Sequence, residues 1–507
     1  VRFPAVVRTA AAGLALALIV SLAAALPQAP GPAAASPADA GPETDPLVLA
    51  KLARWQDWKF GLMMHWGPYS QWGVVESWSI CSEDEPWCRR STPDYVAYKK
   101  AYEALPRTFD PVKFDPDRWA EAAKAAGMRY VVMTSKHHDG FTMYDTKETD
   151  YRITGPDVPF RTHPKADTLK AVFEAFRSRG FGTGAYFSKP DWHHPDFWAP
   201  EWATPDRNVN YSVDRYPERW QRFRDFTYRQ IEEIVSGYGP LDILWLDGGW
   251  VRPAPFVEIA PGHFVKNAKN MDIDMPRIAA MARRHQPGLL VVDRTVTGRY
   301  ENYRTPEQEV PEKPLPYAWE TCMTMGDSWS YVPGDRYKPA RRLVHLLVDV
   351  VSKGGNFLLN IGPSPEGEFA PEALDRLREI GAWMKVNGAA IYGTRPVAPY
   401  KEVKTCFTAL PDGTVHAIYL ADEGEEAPPA KIMLAAIAPA PGSEVRMLGV
   451  REPVKWEKVG QGALLTVPAS AVAKPPCRYA WVFRFKPASA RATGSAATAK
   501  AKEGAAR

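Results

Sequence analysis

From Trp55 onward, short apolar runs alternate with helix-like segments, and that alternation restricts the fold more than any other feature of the chain. The runs are Phe60–His65, Tyr130–Thr134, Gly182–Ser188, Ile243–Leu246, Leu289–Val292, Tyr317–Thr321 and Phe357–Asn360. Their apolar character is continuous, as expected of parallel strands covered on both faces. The segments between them carry helix-end signals. Asp117 is expected to cap Arg118–Ala126 before Gly127, and Asp167 to open Thr168–Arg179 before Gly180. Glu218–Val235 ends ahead of Gly237, and Ala340–Lys353 runs into Gly354-Gly355. Seven strands, plus one with no clear signal, predict an α/β fold: a β/α barrel of the TIM type. A doubly wound open sheet is the competing arrangement, but no glycine-rich phosphate loop follows the first run.

Beyond Thr394 the pattern changes to short strand-like runs separated by turns: Val403–Leu410, Val415–Leu420, Ala430–Leu434, Glu444–Leu448, Ala463–Val467 and Tyr479–Phe485. That spacing predicts an antiparallel β-sandwich. At the other end, Arg2 and Arg8 precede an apolar stretch from Ala10 to Ala25, which reads as an export signal. The expected organisation is a leader over 1–25, a Pro/Ala-rich linker over 26–45, a barrel over 46–395, a sandwich over 396–486 and a disordered tail over 487–507. Export permits disulfides, so Cys81 with Cys88 and Cys406 with Cys477 are candidate pairs, leaving Cys322 as a core thiol. Secretion or a periplasmic location is expected, with no membrane attachment after the leader is removed.

Lys and Arg number 63 against 59 acidic residues and are scattered, so nucleic-acid binding is not indicated. The informative polar residues collect just after the strands. His65 follows the first, Lys136-His137-His138-Asp139 the second, Lys189-Pro190-Asp191-Trp192-His193-His194 the third, Asp247-Gly248-Gly249-Trp250 the fourth and Asp293-Arg294 the fifth, with Glu320 near the end of the sixth. Five of the ten histidines lie in this set, and in a β/α barrel such positions converge on one rim. Asp247, flanked by Trp245 and Trp250, places a carboxylate in an aromatic pocket. That suits a retaining glycosidase, in which one carboxylate attacks the anomeric carbon and a second carboxyl protonates the leaving oxygen.

Five ordered motifs make the resemblance specific. Phe60–Ser70, Lys136–Phe141, Asp242–Trp250, Trp319–Met323 and Val350–Pro363 resemble the α-L-fucosidase family, glycoside hydrolase family 29. The resemblance implies a catalytic barrel followed by a β-sandwich, and release of terminal α-L-fucose from glycans by double displacement. It implies Asp247 as nucleophile. His65, His137, His138, Tyr186, Trp245 and Arg294 become sugar-pocket residues, and Trp329 the aromatic against the fucose methyl group. Where the family has an adjacent Glu-Trp pair, Ser77 here separates Glu76 from Trp78, and both are carried as substrate-binding candidates. Tyr303–Gln308 is similar to the loop bearing the acid/base in one subgroup, which selects Glu307, with Glu301, Glu309 and Glu312 as rivals.

Neither a cofactor nor a metal is expected. Two other readings compete. One is a metal-dependent hydrolase using His65, His137, His138, His193, His194, Asp139 and Asp191, opposed by the expectation that adjacent histidines diverge. The other is a fucose-binding protein with little catalysis. Within the glycosidase reading, an α-L-galactoside is the alternative substrate.

Overall fold

The computed structural model describes residues 41–81, 90–253, 256–260, 263–266 and 269–488, the two short segments by their backbone. The leader, most of the linker, Cys88 and nearly all of the tail lie outside the described residues. The first part of the chain runs α1 (Pro46–Trp58), β1 (Phe60–Met64), α2 (Tyr95–Glu103), α3 (Pro116–Ala125), β2 (Tyr130–Lys136), α4 (Thr168–Arg177), β3 (Gly182–Ser188), α5 (Pro217–Gly237) and β4 (Ile243–Asp247). A hairpin of β5 (Phe256–Ala260) and β6 (His263–Lys266) follows. Next come α6 (Met275–His285), β7 (Leu290–Asp293), β8 (Glu320–Thr324), α7 (Ala340–Ser352), β9 (Asn356–Ile361) and α8 (Pro371–Asn387).

Seven strands form one curled sheet in the order β7-β4-β3-β2-β1-β9-β8, every neighbour parallel. The missing eighth strand is an irregular segment that bridges the two edges. On the β7 side, Asp293 N donates to Tyr300 O at 2.8 Å and Asn302 N to Val291 O at 3.0 Å. On the β8 side, Glu320 N reaches Arg304 O at 2.8 Å and Gln308 N reaches Cys322 O at 3.0 Å. Pro306 cannot donate and Gln308 has φ +58°, so this stretch cannot run as a regular strand, which is why no apolar run marks it. The sixth strand is Glu320–Thr324 rather than Tyr317–Thr321, because the preceding residues pair with this bridging segment.

Side chains pointing inward, among them Met63, Tyr130, Val132, Tyr186, Trp245, Tyr303 and Leu358, fill the barrel as its inner core. Helix α1 plugs one end, with Trp55 stacked on Tyr303 at 4.0 Å. A larger core lies between the sheet and the helices. The cap of α3 is Asp115, which accepts from Asp117 N and Arg118 N, and not Asp117 as expected; Pro116 at the first helical position starts the helix early. Asp167 does cap α4.

The C-terminal part contains β10 (Arg395–Glu402), β11 (Thr405–Ala409), β12 (Val415–Leu420), β13 (Lys431–Leu434), β14 (Val445–Met447), β15 (Pro453–Val459), β16 (Gly462–Thr466), the short α9 (Ala469–Ala473) and β17 (Ala480–Phe485). They make an antiparallel ladder in the order β10-β11-β12-β17-β14-β15-β16-β13, folded around its own apolar core of Phe407, Ile432, Leu465, Trp481 and Phe483. Two strands were missed: β10, whose prolines read as breakers but sit on an edge beside a register shift, and β15, whose side chains are mostly exposed. The sandwich packs on α7 and α8, where Trp383 Nε1 donates to Ala480 O at 2.9 Å. Cys406 and Cys477 do not pair: both are free thiols, Cys477 bonded to Asn387 and Ala480 O. Cys322 is a buried free thiol, as expected.

Candidate active site

At the C-terminal ends of the strands a pocket of about 540 Å³ opens, and all eleven candidate residues line it: His65, Glu76, Trp78, His137, His138, Tyr186, Trp245, Asp247, Arg294, Glu307 and Trp329. The rivals Glu301, Glu309 and Glu312 do not. Glu301 instead accepts from Thr295 N at 3.0 Å and faces Arg304.

Asp247 is the last residue of β4. Gly248 follows with φ +84°, and a Cβ there would meet Pro190 Cδ at 2.3 Å, so only glycine lets the chain turn away directly after the carboxylate. Tyr186 OH donates to Asp247 Oδ2 at 2.7 Å, and Arg294 Nη1 donates to Oδ1 at 3.1 Å. Burial alone would raise this carboxyl's pKa. The Arg294 charge, the Tyr186 hydroxyl and Gly248 N outweigh it and hold the group well below the usual carboxylate range. Asp247 is therefore a desolvated, permanently ionised group, its side chain 13% exposed.

Arg294 also donates through Nη2 to Glu307, whose side chain is 41% exposed. One guanidinium thus holds a carboxylate on the floor and another at the mouth, and a planar fork spans two carboxylates only when they lie within a few ångströms. The guanidinium rests over Trp245 at 5.2 Å, and Trp245 stacks on Tyr186.

Three buried histidines also line the pocket, His138 with Nε2 3.8 Å from Asp247 Oδ2. His65 Nδ1 donates to Asn360 Oδ1 at 2.8 Å, and Asn360 Nδ2 donates to Trp329 O at 2.7 Å, so one asparagine of β9 orients both. His138 Nδ1 pairs with Ser188 Oγ at 2.7 Å, and His137 Nδ1 with Ser77 Oγ. Burial pushes His65 and His138 down to about 4 and holds His137 well below the ordinary imidazole value, so all three are neutral at physiological pH, with Nε2 of His65 left as an acceptor.

Ser77, which breaks the expected Glu-Trp pair, thus has its own role against His137. The short 3-10 turn Glu76–Ile80 brings both Glu76 and Trp78 to the pocket. Glu76 is buried at φ +27°, a strained conformation, and accepts from Ser330 N at 2.9 Å. Burial raises its pKa to about 8.

The expectation that His137 and His138 diverge is wrong. Their rings are 4.2 Å apart, and together with Asp247 they offer ligand atoms within 4.8 Å of one another. This trio does not make a convincing metal centre, because Asp247 already serves Arg294 and Tyr186, and a cation would sit against the guanidinium. Of the other candidate ligands, His65 shares the pocket but donates to Asn360 and is not part of the trio, and the rest lie elsewhere. His193 stacks on Tyr151 and pairs with Glu103, His194 packs on Phe226, and Asp191 pairs with Lys136. Among the described residues, no helix is long and apolar enough to cross a membrane.

Sequence reasoning assigned no role to Arg207, Thr295, Asp327 or Ser328, which also line the pocket, nor to Ser188 and Asn360 behind it. Asn360 and Ser188 end strands already recognised, which was an available signal. Arg207 lies in the connection between β3 and α5, where no periodicity marks it.

A family model described as Alpha-L-fucosidase matches residues 30–389. An α-L-fucosidase of Branchiostoma floridae is 29% identical over 88% of this chain and 95% of its own. Isoenzyme 1 of the α-L-fucosidase from Paenibacillus thiaminolyticus superposes with TM-score 0.68 at 28% identity, over 87% of this chain and 99% of that one. The Thermotoga maritima α-fucosidase, solved in complex with fucose, does so with TM-score 0.64 at 26% identity, over 85% and 96%. With the model match covering most of the chain and the barrel-plus-sandwich fold shared, this protein belongs to the α-L-fucosidase family of enzymes, glycoside hydrolase family 29.

Proposed function

We propose that the enzyme releases terminal α-L-fucose from glycans with net retention, Asp247 acting as nucleophile and Glu307 as acid/base. The observation that carries this reading is the guanidinium of Arg294 shared between a buried, ionised Asp247 and a half-exposed Glu307. Short separation of two carboxyls is the arrangement that double displacement requires, at roughly 5 Å. In the first step Asp247 attacks the anomeric carbon while Glu307 gives its proton to the departing oxygen. In the second, Glu307 takes a proton from water, which attacks the same carbon and frees Asp247.

The neutral histidines supply acceptor and donor nitrogens to the sugar hydroxyls, Glu76 and Trp78 complete the lining, and Trp329 offers a ring face to the methyl group. A relative solved with fucose supports this choice of sugar. Export by the apolar N-terminal segment would deliver the enzyme to glycans outside the cytoplasm.

The test is hydrolysis of a chromogenic α-L-fucoside by the wild type and by Asp247→Ala, with the anomer of the released sugar followed by NMR. Turnover with retention, reduced roughly 10⁴-fold or more in the variant, supports the reading. An inverted product rules out the covalent route, and fucose binding without turnover would favour a non-catalytic protein.

A further inference from the structure

Glu307 stands at the pocket mouth with a side chain 41% exposed, so packing does little to place it and the backbone on either side has to. Pro306, before it, brings a fixed φ. Gln308, after it, donates from its N to Cys322 O at 3.0 Å, beside the parallel bridge between Glu307 and Cys322. A regular parallel ladder would next have Thr324 N donating to the carbonyl of Gln308. Instead Gln308 has φ +58°, the backbone leaves the edge, and the side chain takes over the pairing. Thr324 N donates to Gln308 Oε1 at 3.3 Å, and Gln308 Nε2 donates to Thr324 Oγ1 at 3.0 Å. One side-chain amide thus grips the last residue of β8 at two points, as a backbone peptide would.

The far side of the grip is rigid. Thr324 is buried, and its Oγ1 donates to Gly326 O at 2.7 Å. Lys338 Nζ donates to Thr324 O at 2.7 Å and to Gly326 O at 2.6 Å. Thr321 Oγ1 donates to Glu309 O at 2.7 Å, which ties the segment to β8 again one residue beyond Gln308. Gln308 is itself exposed, and glycine would suit its left-handed backbone better. What glutamine adds at this position is the amide.

We propose that Gln308 is a positioning residue for Glu307: its amide pins the chain to β8 so that the carboxyl stays over the scissile bond and does not swing out with the loop. This rests on the reading of Glu307 as acid/base. A carboxyl displaced by a fraction of an ångström still carries its charge but transfers its proton poorly, so the loss grows with the help the leaving group needs.

The test is kcat/KM for phenyl α-L-fucoside, with a poor leaving group, and for 4-nitrophenyl α-L-fucoside, with a good one. It compares the wild type with Gln308→Gly, Gln308→Met and Glu307→Gln. Glycine suits the backbone but lacks the amide, and methionine keeps the length without the hydrogen bonds. In both, the ratio of phenyl to 4-nitrophenyl kcat/KM is expected to fall about fivefold, in the same direction as the larger fall in Glu307→Gln. Turnover of the 4-nitrophenyl fucoside reports that each variant is folded, and a purely structural role would lower both rates equally. A ratio unchanged in either Gln308 variant, while Glu307→Gln lowers it, overturns the positioning role and leaves the acid/base assignment standing. A ratio unchanged in Glu307→Gln overturns the assignment and the positioning role together.

Discussion

Tyr186 and Asp247 are joined by a 2.7 Å hydrogen bond from phenol to carboxylate, between side chains on adjacent strands in register, Tyr186 opposite Trp245 and Ser188 opposite Asp247. The bond spends the phenolic proton on Oδ2 while Arg294 takes Oδ1, so both oxygens of this carboxylate are fixed before substrate arrives. Preorganisation of this kind is part of how a site lowers its barrier.

Replacing Tyr186 by Phe therefore has a defined consequence. Loss of a charge-assisted hydrogen bond leaves Asp247 Oδ2 without its donor, so the carboxylate is held less firmly and kcat falls about tenfold, while Arg294 still keeps the group ionised. A kcat identical to that of the wild type would contradict the arrangement.

Glu307→Gln removes the proton donor but keeps the shape. The expected loss is about 10²–10⁴-fold on a fucoside with a poor leaving group and much less on an activated aryl fucoside, which departs unaided. Equal losses on both would move the acid/base role to another carboxyl. Arg294→Lys provides the complement: a single ammonium does not span both carboxylates, so binding and turnover both suffer although the charge is kept.

Trp329 is expected to choose between fucoside and galactoside. A methyl group against a ring face contributes about 1 kcal/mol, so Trp329→Ala should lower the ratio of fucoside to α-L-galactoside kcat/KM about fivefold. Steady-state kinetics on the matched chromogenic pair measures it.

Stability is expected to fall on both sides of mildly acidic pH. His65, His138 and His416 are held near 4 in the fold, below the ordinary 6.5 of a free imidazole, so the unfolded chain binds more protons between those values and stability drops as pH falls from 6.5 to 4. Glu76 and Glu320 are raised to about 8 from 4.5, so the fold holds more protons there and stability drops as pH rises from 4.5 through 8. Each shift corresponds to a few kcal/mol. Glu320 accepts from Tyr130 OH at 2.6 Å and from Trp245 Nε1 at 3.2 Å in the barrel core. Glu320→Gln stays neutral and should flatten the alkaline fall in Tm, which thermal unfolding from pH 4 to 9 would read out.

Much of this protein was legible in its residue order. Continuous apolar runs located six of the seven parallel strands closely, because a strand covered on both faces has no polar positions to blur it. The residues at the ends of those strands marked the rim, and all eleven candidates, including Glu76 and Trp78 on either side of Ser77, line one pocket. Strand-end position is a local property, and a closed parallel sheet converts it directly into convergence in space.

What remained was decided by contacts between residues far apart in the chain. The segment around Arg304 and Glu307 completes the barrel only because β7 and β8 each leave an unpaired edge for it, and no local pattern records an edge. Asn360 orients His65 from 295 positions away, and the Arg207 carbonyl accepts from two indoles, Trp192 and Trp250, from separate parts of the sequence. The ionised state of Asp247 likewise depends on Arg294 lying 3.1 Å away. Periodicity determined the fold class, strand-end residues part of the site, and the resemblance to the family the rest of its membership. Charge states and second partners belong to the tertiary structure, because they depend on which long-range neighbours replace water around each polar group.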